Sequence, residues 1–293
     1  MASPLVDRLL GRAGGLDGPS NLVLRAVGAA YRLLGPIGRP IQGFLNGTWI
    51  GHPLHPMLTD VPVGAWSVVL LLDLIGVAAP NSGLGPAATV ALWLGVLAAL
   101  GAIASGFTDW KETYGYEQRV GFVHGVVMML STLLYVVSGV MRVAGSSESD
   151  AARLVAVAGW IVLVAGGYLG GEMAFAFGSM VDHNAFRDGP QRFVTAAALA
   201  DLREGLNHVT VSGDPILLVR QGDSLYALGD VCSHAGGPLH GGTLAGGVVE
   251  CPWHGSCFRV ADGSVARGPA VFPQPRYEVR VTGGRVEVRR AGP

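Results

Sequence analysis

Cys232-Ser233-His234 and Cys251-Pro252-Trp253-His254, with sixteen residues between them, offer two thiols and two imidazoles to a single metal centre. Thiolate is a soft anionic ligand and imidazole a neutral one, so the mixed set suits tetrahedral zinc or iron bonded to sulfur. The third cysteine, Cys257, makes an odd trio, which argues against a disulfide framework and for metal ligation.

Both stretches, CSHAGGPLH and CPWHGSCFRVADG, resemble the Rieske [2Fe–2S] signature, Cys-x-His followed by Cys-x-x-His, over roughly residues 192–290. The resemblance implies that Cys232 and Cys251 bind one iron and His234 and His254 the other, the family's exchange of two cysteines for two histidines. Neutral imidazoles leave such a cluster less negative than four thiolates would, so it accepts an electron more readily. Zinc fingers pair Cys with Cys and His with His in sequence, and the interleaved order here, with Gly255-Ser256 after the last histidine, speaks against zinc.

Departures from the family pattern bear on potential. High-potential members carry an extra cysteine in each loop; Gly237 and Trp253 stand in those places, so the shielding disulfide has no counterpart. Ser256 is expected to donate to a cluster sulfur, whereas Phe258 occupies the place of a hydroxyl-bearing tyrosine. Losing that donor destabilises the electron-rich reduced state, which predicts a potential near ~−150 mV. Cys257 reads as an unpaired packing thiol, His240 as a surface loop residue and His208 as structural.

Strand-like runs at 208–211, 216–219, 225–228, 277–281 and 286–288, separated by Gly213-Asp214-Pro215, Gly222-Asp223 and Gly283-Gly284, predict a small all-β domain around these loops. The rest of the chain differs in composition. Only 14% of the 293 residues are charged, against a globular norm of ~25%, and the net charge of −1 excludes a polybasic nucleic-acid role. Apolar runs at 57–79, 87–107, 120–141 and 154–171 each match the ~17–25 residues that span a bilayer, and their many glycines suit close helix packing. An arginine-bearing amphipathic helix over 21–34 precedes them and reads as interfacial. The expectation is a multidomain protein: an all-α bundle of four transmembrane helices followed by a small all-β Rieske-type iron–sulfur domain. Its parts are an arm at 1–50, the transmembrane domain at 51–180, a linker at 181–191 and the iron–sulfur domain at 192–293.

Orientation follows from Lys and Arg near the spans. Arg8, Arg12, Arg25, Arg32, Arg39, Lys111, Arg119, Arg187 and Arg192 fall on the side of both termini, against Arg142 and Arg153 opposite. By the positive-inside rule that side is the cytoplasm of a bacterial inner membrane.

Gly51-His52-Pro53-Leu54-His55-Pro56 and Asp60, with a helix-three histidine and Gly170-Gly171-Glu172, resemble an uncharacterised four-helix bacterial membrane family over about 52–178. Ionisable groups inside spans usually face a bundle interior. His55 and His124 are expected to hydrogen-bond to Asp60, Asp109 or Glu172 and hold the bundle mouth together. A b-type haem with His55 and His124 as axial ligands is the second reading, and a quinone pocket a third. No histidine follows His254, so the mononuclear iron site of ring-hydroxylating oxygenases has no ligands in the tail. The functional expectation is a membrane-anchored carrier of single electrons between a soluble reductase, ferredoxin or oxygenase and a membrane acceptor such as quinone. It would be an electron-transfer component, not a stand-alone enzyme. The rival is a cluster-based redox or iron sensor signalling through the bundle.

Overall fold

A computed structural model describes residues 2–11, 14–80 and 82–292. Arg12, counted above for orientation, and Asn81 in the turn after the first span lie outside them. Two compact units are present: residues 1–38 with 53–177, and residues 39–52 with 178–293. The N-terminal arm therefore divides, its last twelve positions, 39–50, grouping with the β unit.

The helical unit begins with α1 (Pro4–Leu10) and α2 (Asp17–Leu33); α3 (Gly38–Asn46) opens the segment that groups with the β unit. Then come α4 (Leu54–Ala78), α5 (Gly85–Trp110), α6 (Gly115–Ala144) and α7 (Asp150–Glu172), the last continued by a π turn at Met173–Phe177. These four are long and apolar enough to cross a membrane. Their outward faces are apolar too: Leu97 and Leu154 are each 69% exposed, which water would penalise and lipid would not. Each begins or ends a few residues beyond the apolar run that announced it. Residues 108–119 and 142–153, which separate the apolar runs, contribute helical turns at both ends.

Inside the bundle, Trp66 stacks on Tyr135 with ring centres 4.0 Å apart and donates through Nε1 to Leu92 O. A Cβ at Gly95 would collide with Trp66, and one at Gly139 would come within 2.8 Å of Leu92 and Trp93, so glycine here sets how closely the helices approach. Near the ends of α4 and α6, Arg142 grips Asp73 in a bidentate pair (Nη1–Oδ1 3.0 Å, Nη2–Oδ2 2.5 Å), both groups fully buried. At the opposite end α2 is fastened by Arg119 to Asp17 (2.6 Å) and by Tyr31 Oη to Thr108 Oγ1 (2.5 Å), with Arg25 and Arg32 exposed.

The β unit holds a six-stranded antiparallel sheet in the order β1 (Val194–Ala198), β10 (Arg285–Arg290), β9 (Arg276–Thr282), β4 (Ser224–Gly229), β3 (Asp214–Gln221), β2 (Gly205–Val211). A smaller sheet runs β5 (Thr243–Ala245), β6 (Val248–Glu250), β7 (Cys257–Arg259), β8 (Val265–Arg267). Leu217, Val219, Leu228, Leu239, Val249, Phe258 and Val260 form one core cluster together with Cys232 and Cys251.

Candidate metal centre

Cys232 and His234 lie on the loop after β4, Cys251 and His254 on the β6–β7 loop, and both loops close in the same way. The Cys232 N–H donates to Gly237 O (2.8 Å) and its carbonyl accepts from Gly236 N (2.9 Å). The Cys251 N–H donates to Ser256 O (2.8 Å) and its carbonyl accepts from Gly255 N (3.1 Å). The fourth residue after each cysteine is thus a glycine, and both adopt positive φ, 79° at Gly236 and 73° at Gly255, which other residues rarely accept. The closure turns backbone N–H groups onto the sulfurs: His234 and Ala235 toward Cys232, Trp253 and His254 toward Cys251. Such paired donors stabilise thiolate.

The two thiols face one another. Cys232 donates to Cys251, which brings Cys251 down to about 6 and drives Cys232 up. The contact favours the thiolate form of one of the pair, the form that binds metal. The sulfurs are buried and the imidazoles half-exposed, with ring centres 5.0 Å apart and planes at 83°. A ring centre lies about 3.2 Å from a metal that its nitrogen ligates, so two imidazoles on one tetrahedral metal have centres about 5.2 Å apart. The donor set and its spacing fit one iron between the imidazoles and another between the thiols.

Surrounding residues lock the loops. Ser256, wholly buried, accepts from Ala270 N at 3.0 Å; Ser233 Oγ donates to Phe272 O at 2.7 Å; Arg267 Nη2 holds Gly255 O (3.1 Å) and Glu250 (2.9 Å). A Cβ at Gly237 would stand 3.0 Å from Cys251 Sγ and from the Trp253 ring, so that position has no room for a cysteine as the loops are packed. The three described cysteines are unbridged. Cys257 is buried on β7, 3.8 Å from Glu250 Oε2, and burial pushes its thiol up.

One cluster escaped sequence reading. His208 on β2 and His240 after the first loop each donate from Nδ1 to Asp230 Oδ2 at 2.6 Å, and the His240 N–H donates to Oδ1 at 2.8 Å. His240 is exposed in the loop region, as its sequence position suggests, and it also ties the first loop to a buried carboxylate. The three come from separate elements, and no spacing signals their meeting.

In the bundle, the expected carboxylate partners are corrected. His55 Nδ1 bonds Ala102 O (2.8 Å) and His124 Nδ1 bonds Gly166 O (2.9 Å); neither bonds Asp60, Asp109 or Glu172. Asp60 is exposed, and Glu172 instead accepts from the Ser3 backbone N–H. The reason is geometric: each ring lies against the neighbouring helix, within hydrogen-bond reach of one of its carbonyls.

Comparison with known proteins adds identity to this geometry. Residues 192–278 match the Rieske [2Fe-2S] domain, and residues 51–183 match the family described as Predicted membrane protein (DUF2231). Ferredoxin CarAc of Metapseudomonas resinovorans is 38% identical over 100 residues, covering 33% of this chain and 94% of that ferredoxin. The chain belongs to the Rieske ferredoxin family. A [2Fe–2S] cluster is its cofactor, and its β unit is a Rieske electron carrier. It is also 36% identical over 103 residues to human Apoptosis-inducing factor 3, covering 34% of this chain and spanning only 17% of that protein's length. The solved ferredoxin of carbazole 1,9a-dioxygenase from Nocardioides aromaticivorans IC177 is similar at 35% identity over 34% of this chain and 98% of its own, with a TM-score of 0.33.

Proposed function

We propose that the protein is a Rieske ferredoxin tethered to the bacterial inner membrane, passing single electrons between a soluble reductase, ferredoxin or oxygenase and a membrane acceptor. The observation that carries this reading is the pair of matching glycine-closed loops that bring two buried thiols and two half-exposed imidazoles together. A [2Fe–2S] cluster supplies one-electron chemistry there.

The residues divide the work. Cys232 and Cys251 hold one iron on the buried side, their anionic form supported by the backbone N–H groups of Trp253, His254, His234 and Ala235. His234 and His254 hold the other iron toward the surface. Ser256, whose oxygen already accepts from Ala270, keeps its own hydrogen to donate toward a cluster sulfur. Trp253, 49% exposed beside His254, supplies an apolar contact for a docking redox partner. The relatives named as ferredoxin components of dioxygenase systems, among them that of naphthalene 1,2-dioxygenase in Pseudomonas putida, support an oxygenase or its reductase as that partner. The four apolar helices support a membrane anchor, and the nine-to-two bias of Lys and Arg supports a cytoplasmic Rieske unit.

Vesicles test the topology and the transfer together. An NADH-dependent ferredoxin reductase added to inside-out membrane vesicles should bleach the oxidised cluster's visible absorption, and the same addition to intact spheroplasts should not. Reduction in spheroplasts alone would reverse the orientation, and reduction in neither by any soluble donor would remove the carrier role.

A further inference from the structure

We propose that His55 and His124 are the two axial ligands of a haem iron held between the α4–α5 and α6–α7 helix pairs. Each imidazole donates through Nδ1 to a backbone carbonyl in its own pair, His55 to Ala102 O on α5 and His124 to Gly166 O on α7. A carbonyl only accepts, so Nδ1 carries the proton in both rings and Nε2 keeps its lone pair. Anchoring one ring nitrogen to a carbonyl is how proteins fix the tautomer and orientation of a metal-ligating histidine.

The device occurs twice. Gly106, four residues after Ala102, faces the His55 ring so closely that a Cβ would come within 2.8 Å of Cε1. Gly170, four residues after Gly166, faces His124 in the same way, a Cβ falling 3.1 Å from Cε1. Carbonyl at one position and glycine one turn later, on the helix that follows the histidine, is the same cradle in two stretches with no evident sequence similarity. A histidine that merely packs requires neither part, still less a matching copy.

The separation of the rings points to the ligand. Their centres stand 6.3 Å apart with planes at 88°. With each ring centre about 3.2 Å from a ligated metal, two imidazoles on opposite sides of one iron have centres about 6.4 Å apart, whereas a tetrahedral metal draws them to about 5.2 Å. Opposed nitrogens are what an iron presents when a macrocycle fills its equatorial positions, and apolar transmembrane helices suit the macrocycle's faces. Haem binding stands on the helical unit alone; its service as the membrane-side redox partner of the cluster rests on the proposed electron-carrier function.

The test is expression of the full chain with added δ-aminolaevulinate, purification in detergent, and optical and EPR spectroscopy. The expected result is a b-type haemochrome with a low-spin bis-imidazole spectrum, of the strongly anisotropic kind that perpendicular rings produce. His55→Leu and His124→Leu should each abolish the low-spin species, and Gly106→Leu and Gly170→Leu should weaken haem binding by ~10-fold or more. The reduced-cluster EPR signal, unchanged in all four variants, shows that the chain still folds and separates failure of this site from failure of the Rieske reading. Three results would overturn the proposal: a preparation that lacks a Soret band and whose added haemin keeps its free spectrum; binding of copper or zinc alone; or low-spin haem that persists in the His55→Leu, His124→Leu double variant.

Discussion

His234 and His254 stand 5.0 Å apart in loops that also present two thiols, while His55 and His124 stand 6.3 Å apart on separate apolar helices, each tied to a carbonyl. Both pairs have nearly perpendicular rings, so orientation does not distinguish them. Separation and company do. The nearer pair shares a site with two cysteine sulfurs and has the spacing of two ligands on one tetrahedral iron; the farther pair lies on helices that carry no cysteine and has the spacing of two ligands on opposite sides of a metal. On the two proposed assignments, one residue type would address different iron chemistry according to what holds its second nitrogen and what stands beside it.

The most severe break in this contrast comes at the thiols. Cys251→Ser should remove the cluster altogether, read as loss of acid-labile sulfide and of the reduced EPR signal, while the bundle's helical circular dichroism persists; retained sulfide would take Cys251 out of the ligand set. A graded change follows at the imidazoles. His254→Cys adds a negative charge to the cluster, so its potential should fall by ~100 mV or more toward the all-thiolate range, and a redox titration that moves upward would contradict the assignment.

Asp73→Ala sharpens the contrast from the other side. It strands Arg142 in the bundle and should destabilise the helical unit by ~3–5 kcal/mol, lowering its unfolding midpoint in detergent without altering the cluster spectrum. A smaller effect belongs to Phe258, wholly buried in the core cluster beneath the cysteines. Phe258→Tyr restores a hydroxyl donor worth ~1–1.5 kcal/mol and should raise the potential by ~50 mV; no rise would mean that the hydroxyl does not reach a cluster sulfur.

The cysteine loops were legible because their chemistry is local: ligands, glycines and Ser256 lie within a few residues, and the close of each loop depends on that spacing. The longer strands showed as apolar runs between glycine turns. The smaller sheet did not, since β5 to β8 have three residues each, too few to display a period. The helices were found from apolar length, with ends misplaced by a few residues because polar caps carry the last turns into water. Sequence brought His55 and His124 to one end of the bundle but named the wrong partners, for backbone carbonyls have no residue-type signature. His208, Asp230 and His240 were missed for a related reason: three elements converge on one carboxylate, and only the register of β2 against β3 and the turn after the first loop bring them there.

Pulsed EPR of the dithionite-reduced protein carrying ¹⁵N-labelled histidine reads out the two imidazole ligands assigned to the cluster. Strong hyperfine coupling is expected from two histidine nitrogens, both lost when the cysteines are replaced and unaffected by His55→Leu or His124→Leu. Couplings from backbone nitrogen only, or stoichiometric zinc without acid-labile sulfide, would contradict it.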